Sequence, residues 1–578
     1  KAKAMRSQIY LLKMYGKLLI FACALHVWAA EPDLDWWKSA VFYQIYPRSF
    51  KDSDNDGVGD LKGIQSKLDH LVDAGVTALW LSPIYRSPQI DQGYDISDFR
   101  DVDPLFGTLA DFKELLASAH QKGLKVILDF VPNHSSDKHD WFSKSESGDE
   151  QYADYYVWRE GRNGNRDPPN NWISYFHGPA WKFSEARQLW YLHQFAEGQP
   201  DLNYRNPKLV QEMKDVLTYW LDAGVDGFRV DIISALFEDE QFRDEEPSNI
   251  PGVSDTDREY LIHTYTDDQP ENYDMVYQWR ELLDEYQRQH GGDTRVMMTE
   301  SYAPLGKLFG YYGNEIRDGA HFSFNFWFIT ELNGQSTAHA IKFVIDKWFT
   351  YMPWRYTANW VLGNHDQHRV ATRYGTKRVD GLCMLSMLLP GVAVTYNGEE
   401  IGMEDGEVTW TQAKDPQACN DVEANFKKNS RDFQRTPFQW DDSVNAGFNA
   451  GGDTWLPVGS TYLTANLAAE KADPKSHYSV YQNVVKLRKS DTLKHGDFST
   501  VAFSDSVFGL IRSLKGNETY VLVVNIGGQS QTADLRYLGR LPDKLKVVLV
   551  SQSTRKVGDM VPTGVVSLGA YESVILSS

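Results

Sequence analysis

Short apolar runs alternate with amphipathic stretches from residue 40 to about residue 400. The runs at 40–45, 78–81, 125–130, 226–230, 295–298, 320–324, 358–362 and 392–395 are rich in Val, Ile, Leu and aromatic residues. Continuous apolar runs of that length read as strands buried on both faces. Between them, stretches such as 64–74, 109–122 and 209–223 repeat apolar residues at helical spacing. Eight strand–helix units predict an α/β chain built on a closed parallel (β/α)8 TIM barrel. The active site of such a barrel lies beyond the C-terminal ends of its strands.

Two departures from that rhythm divide the chain. After the third strand, residues 135–205 are rich in Gly, Asn, Asp, Pro and Trp. A connection this long is usually functional, so it is expected to form a small inserted domain over the pocket. After residue 485 the pattern changes to short alternating runs at 501–503, 508–512, 520–525, 546–551 and 573–576. That is the signature of a separate antiparallel β-sandwich. The expected organisation is therefore a barrel over 31–134 and 206–485, an insertion over 135–205 and a C-terminal β domain over 486–578.

Composition narrows the function. The 578 residues carry a formal net charge of −20, which disfavours nucleic acid or an anionic membrane as partner. The 18 Trp and 31 Tyr suit either a large core or the stacking of sugar rings. Residues 5–30 read as a secretory signal. Arg6, Lys13 and Lys17 precede or flank a short apolar run at 18–25, and Val27-Trp28-Ala29 offers a cleavage site. A secreted, extracellular chain is expected, in which Cys383 and Cys419 pair. The alternative is a free Cys383 buried in the apolar run 382–389. Asn517-Glu518-Thr519 is a glycosylation sequon, and Asn133-His134-Ser135, placed inside the site, is expected to stay bare.

The candidate chemistry sits at strand ends. In Gly227-Phe228-Arg229-Val230-Asp231, alternation puts Arg229 and Asp231 on one side of the strand. Glu300 closes another strand, and Asp366 follows a third. A buried charge pair is costly unless it is paired or used. Three strand-end carboxyls suggest glycosyl chemistry with a nucleophile, an acid/base and an orienting carboxylate.

These residues carry a resemblance. Asp129-Phe-Val-Pro-Asn-His134, the segment ending in Asp231, Glu300 and Asn364-His365-Asp366 resemble, in this order, the motifs of glycoside hydrolase family 13, the α-amylase superfamily. Gln199-Pro-Asp-Leu-Asn203 and Arg435-Thr-Pro-Phe-Gln-Trp440 look like its oligo-1,6-glucosidase and maltase branch, and in particular its insect midgut maltases, mosquito ones among them. The resemblance implies a retaining α-glucosidase. Asp231 would be the nucleophile and Glu300 the acid/base, with carboxyls roughly 5–5.5 Å apart. Asp366 would hold sugar hydroxyls, and Arg229 would keep Asp231 ionised. His134 and His365 would bond hydroxyls while neutral. Asp91 and Arg435 would close around the non-reducing end with Tyr94 stacked beneath, which makes the enzyme exo-acting on maltose, sucrose and short oligosaccharides.

Asp52, Asp54, Asp56 and Asp60 fall at alternate positions of a glycine-containing loop, which suits a hard cation. An EF-hand would need Glu at the twelfth position, here Gly63. The resemblance points instead to a structural Ca2+ site in the first barrel loop, with Val58 adding its backbone carbonyl. No cofactor is expected for catalysis. Competing readings are a silent relative acting as a binding protein, such as a transporter heavy chain or a gut receptor for a bacterial toxin, and a transglycosylase or sucrose isomerase. A lipid anchor at the gut surface is a further expectation drawn from relatives.

Overall fold

The computed structural model describes residues 32–578; the leader-like stretch 5–30 lies outside them. Eight parallel strands form one sheet: β1 (Val41–Ile45), β2 (Ala78–Leu81), β3 (Lys125–Phe130), β4 (Gly227–Val230), β5 (Val296–Thr299), β6 (Phe322–Ser323), β7 (Asn359–Val361) and β8 (Val392–Tyr396). Their order, β6-β5-β4-β3-β2-β1-β8-β7, brings the two ends of the sheet round to each other. No ladder joins β6 to β7, and a side chain bridges the seam instead. Asn359 donates to the Ser323 carbonyl at 2.6 Å and accepts from the Asn325 backbone at 2.7 Å. Sixth-strand pairing is therefore confined to two residues, shorter than the apolar run 320–324 suggests.

The outer helices follow from their apolar spacing. In α1 (Leu109–Gln121), Phe112, Leu115, Leu116 and Ala119 face the barrel, and Thr108 with Asp111 makes a reciprocal cap at its start. α2 (Pro207–Ala223) begins at the Asn206 cap with proline in its first turn. It ends at Gly224, whose φ of 106° only glycine adopts readily. The strand that α2 feeds opens on Gly227, where φ is 152° and a Cβ would lie 2.1 Å from the Val296 carbonyl oxygen. Any side chain there would push β4 away from β5 and displace the carboxylates that both strands deliver.

The insertion carries its own three-stranded antiparallel sheet, formed by Trp158–Arg159, Trp181–Ser184 and Leu189–Leu192. Val157, Trp172, Trp181 and Leu192 pack as a small separate core. It is tied to the third strand's end by Leu202 N–H to the Asn133 carbonyl, 2.9 Å. The C-terminal region is a six-stranded antiparallel sheet, with a two-stranded ladder (Gln531–Asp534 with Val565–Leu568) on one side. Alternation in Tyr520–Asn525 gives it two apolar faces. Val521 and Val523 pack under the ladder, whereas Tyr520, Leu522 and Val524 join the barrel core.

The expected Cys383–Cys419 bond is not formed; both are free. Cys383 is buried within the helix Val379–Leu388 on the barrel's outer ring, and burial pushes its thiol well above the usual range. Cys419 is exposed, at the end of a short helix in the long segment after β8. A thiol reagent should therefore label Cys419 in the native protein and Cys383 only after denaturation. Peptide mapping of the labelled protein checks this, and a Cys383–Cys419 cross-linked peptide would contradict it.

Candidate active site

A pocket of about 300 Å³ opens at the C-terminal ends of the strands. Asp231, Glu300, Asp366, Asp91, Tyr94, His134 and His365 all line it. At its floor is Arg229, buried at the end of β4. Its guanidinium donates from Nη1 to Asp129 Oδ1 (2.7 Å) and Asp231 Oδ1 (2.6 Å), and from Nη2 to Glu300 Oε2 (2.6 Å). One cation thus holds three carboxyls that arrive on neighbouring strands β3, β4 and β5. Trp80 lies 5.2 Å from the guanidinium carbon, closing the lower side against water.

Three carboxyls around one guanidinium cannot all be ionised in a buried place. Burial, opposed by Arg229 and reinforced by the Glu300 and Asp129 charges, raises the Asp231 carboxyl well above the usual range. Burial likewise lifts Asp129 to about 6. Against the expectation that Arg229 keeps Asp231 readily ionised, burial and the neighbouring carboxyls outweigh the guanidinium at Asp231.

Asp366 has the opposite environment. Burial opposes its ionisation, but the Arg435 and Arg431 guanidiniums outweigh it and hold the carboxyl below the ordinary range. Arg435 donates to Asp366 at 2.7 Å, and Arg431 lies at 3.5 Å. His365 would add to this only when charged, which its own burial disfavours. His365 Nδ1 meets the Gln44 side-chain amide at 2.8 Å, and its Nε2 meets the Tyr94 hydroxyl at 2.7 Å. The Tyr94 and His365 rings stack at 5.4 Å. Burial lowers His134 to about 3, so both imidazoles are neutral hydrogen-bonding groups.

The far side of the pocket is closed by an ion pair between Asp91 and Arg431, an arginine that the sequence reading did not single out; it had placed Arg435 beside Asp91 at the non-reducing end. Asp91 accepts from Arg431 at 2.8 Å and from Gln199 at 3.1 Å. Gln199 also reaches His134 Nε2 at 3.1 Å. Arg435 does not reach Asp91. The turn Phe433–Arg435 points it inward, fully buried, where it binds Asp366, the His365 carbonyl and Gln92. Arg431, four residues earlier, takes the rim, anchored by Asp415 at 2.6 Å. Also missed were Asp129 as the third partner of Arg229, and the aromatic wall of Tyr175, Phe176 and Phe195. The last ring stacks on Tyr175 at 4.7 Å. A buried loop carboxylate such as Asp91 requires a cation, and the Ser430-Arg431-Asp432 triplet was the available signal.

The residue after Asp231 is strained. Ile232 has φ 35° and ψ 53°, a left-handed conformation that costs a β-branched side chain about 1–3 kcal/mol. The turn swings Asp231 and Ile232 to the pocket wall together.

In the first barrel loop, Asp52, Asp54 and Asp60 can bring carboxylate oxygens within 4.8 Å of one another. Asp56 does not join them; it accepts from the Val58 backbone at 2.8 Å. Asp52 and Asp60 are buried and accept backbone N–H groups, Asp60 as the cap of the following helix. Of the glycosylation sequons, Asn133 is buried, whereas Asn517 is exposed in the turn before Tyr520–Asn525.

The alpha amylase catalytic domain family matches residues 44–496. The chain belongs to the α-amylase family. Maltase 1 of Drosophila virilis is 50% identical to this family member over 94% of this chain and 87% of its own length. The salivary alpha-glucosidase of Anopheles gambiae is 45% identical over 94% and 93%. Among solved structures, the alpha-glucosyl transfer enzyme XgtA superposes with a TM-score of 0.83 at 33% identity, covering 95% of this chain and all of that one.

Proposed function

We propose that this α-amylase-family glycosidase is a retaining, exo-acting α-glucosidase that releases glucose from the non-reducing ends of maltose, sucrose and short α-glucosides. One observation carries the reading. The Arg229-linked pair Asp231 and Glu300 sits in a pocket whose far side is closed by the Asp91–Arg431 ion pair. A closed end admits one terminal sugar, so cleavage releases single units.

Glu300 gives its proton to the glycosidic oxygen while Asp231 attacks the anomeric carbon, forming a glucosyl ester and freeing the leaving sugar. Glu300, now a carboxylate, takes a proton from water, and the resulting attack releases α-glucose and restores Asp231. Asp366, kept ionised by Arg435 and Arg431, accepts hydroxyls of the bound sugar, which bonds it most strongly as the ring flattens. Neutral His134 and His365 add bonds without adding charge. NMR of the first turnover tests the reading: α-glucose as the initial product is expected, and β-glucose would overturn it.

Ile232 bears on linkage. A bulky apolar side chain beside Glu300 offers no hydroxyl to the leaving sugar and narrows the approach of a 1,4-linked one. Measurable isomaltose activity is expected beside maltose activity. Ile232→Thr keeps the β-branch, so backbone strain is common to both forms. It should raise the maltose-to-isomaltose ratio of kcat/KM by up to about tenfold. An unchanged or lowered ratio would remove Ile232 as the determinant.

The loop carboxylates Asp52, Asp54 and Asp60, with the Val58 carbonyl, would hold a structural Ca2+. The convergence of three carboxylates supports this, and the ion would pin the loop far from the reacting atoms. A ligand present at a hundredfold its Kd stabilises the folded state by about 2.7 kcal/mol. Chelation should therefore lower the Tm, and added Ca2+ should restore it. A melting curve indifferent to chelator would count against the site. Secretion, with a glycan at the exposed Asn517, is part of the same reading.

A further inference from the structure

The first barrel strand supplies none of the pocket's carboxyls, yet it reaches one of the pocket's histidines. Alternation along β1 turns Phe42 and Gln44 into the barrel, where Phe42 meets Phe322 of β6 at 5.7 Å. Gln44 is fully buried, and its side-chain oxygen has no partner. A buried amide left half-satisfied costs stability. An apolar side chain of the same length would avoid that cost, so the use of the amide lies at its other end.

That end is Nε2, which lies 2.8 Å from His365 Nδ1 and 3.2 Å from Ser82 Oγ. An amide nitrogen carries two hydrogens and only donates, and two acceptors face it. His365 Nδ1 must therefore be bare, which leaves the ring's hydrogen on Nε2. The other neighbours agree. The Tyr94 hydroxyl donates to Asp129 Oδ2 at 3.2 Å, so its oxygen accepts from His365 Nε2 at 2.7 Å. Asp366 Oδ2 lies 3.4 Å from the same nitrogen, where a lone pair would face a carboxylate. Packing against Tyr46 at 5.5 Å and Tyr94 at 5.4 Å restrains the ring.

We propose that Gln44 is a positioning residue for the reaction: its bond to Nδ1 holds His365 as the tautomer that presents an N–H, rather than a lone pair, to the sugar. The proposal deepens the α-glucosidase reading and rests on it. Asp366 beside it is ionised and can only accept. A sugar hydroxyl between the two can then receive from His365 Nε2 and give its own hydrogen to Asp366. The reversed tautomer would set two acceptors against one hydroxyl hydrogen. Gln44 touches no substrate and acts only through His365.

Neutron diffraction from crystals grown in D2O reads the tautomer directly. Deuterium is expected on His365 Nε2 and on the Gln44 nitrogen facing Nδ1; deuterium on Nδ1 would overturn the proposal. A double-mutant cycle with 4-nitrophenyl α-glucoside reads the function. Gln44→Leu should lower kcat/KM by about tenfold, the worth of one hydrogen bond at the transition state, with a Tm close to that of wild type. In a His365→Ala background the same change should have no further effect. Gln44→Met, closer in length, takes its place if the leucine variant misfolds. Equal losses in the two backgrounds would show that Gln44 acts through packing and would overturn the proposal. So would an unchanged kcat/KM in the folded Gln44 variants. A wild type that cleaves neither maltose nor 4-nitrophenyl α-glucoside would instead overturn the α-glucosidase reading, on which the neutron result does not depend.

Discussion

Asp231→Asn should reduce maltose hydrolysis by at least about 10⁴-fold with the fold intact. The amide keeps the shape of the carboxyl, and its oxygen can still accept from Arg229 Nη1, which approaches Asp231 at 2.6 Å. What it cannot do is form the glucosyl ester. Glu300→Gln should be milder, about 10²–10⁴-fold with maltose, because only proton transfer is lost. That deficit should shrink with 4-nitrophenyl α-glucoside, whose leaving group needs little protonation. The kinetic pair distinguishes the roles: an Asp231→Asn variant that is rescued by the good leaving group would exchange the two assignments.

Arg229→Ala should be the most damaging single change to both stability and pH dependence. It removes the one cation that Asp129, Asp231 and Glu300 share. Breaking a buried ion pair from one side costs about 3–5 kcal/mol. The sign with pH follows from the direction of the shifts. Burial already raises Asp129 to about 6 and lifts Asp231 well above the ordinary range, and loss of the guanidinium raises both further. A carboxyl whose folded-state pKa is raised contributes its stability below its unfolded value and loses it as pH rises through the folded value. The variant's deficit in Tm should therefore be smaller near about pH 5 than near about pH 8. Residual activity should be found only toward higher pH, where the nucleophile is ionised. Melting curves at the two pH values check this, and a deficit that does not change with pH would show that Arg229 does not set these charges.

The barrel was legible because its strands are buried on both faces, so they appear as apolar runs that need no partner to be recognised. Lys125–Phe130 and Gly227–Val230 show this. The sixth strand was overestimated because its neighbour β7 is bridged by the Asn359 side chain, and a side-chain bridge leaves no mark in hydrophobic periodicity. Strand-end carboxyls were legible for a related reason: a charge ending an apolar run is conspicuous. Arg431 was not, since it lies 340 positions from Asp91 in a polar loop where arginine is unremarkable. Only the folded turn Phe433–Arg435 separates the arginine that seals the pocket from the one beneath it. The cysteine pairing failed in the same way, because compartment and count say nothing about which side of a helix a thiol faces. Cys383 turns into the barrel's outer packing while Cys419 faces solvent.

The central claim is a covalent bond to Asp231. A fluorinated glucosyl fluoride, whose good leaving group lets the ester form while the electron-poor sugar slows its hydrolysis, should trap that bond. Mass spectrometry of the digested protein should then find one added fluoroglucosyl group on the peptide carrying Asp231 and none in the Asp231→Asn variant. Rapid turnover with no trapped species, or a label on any other residue, would contradict the mechanism.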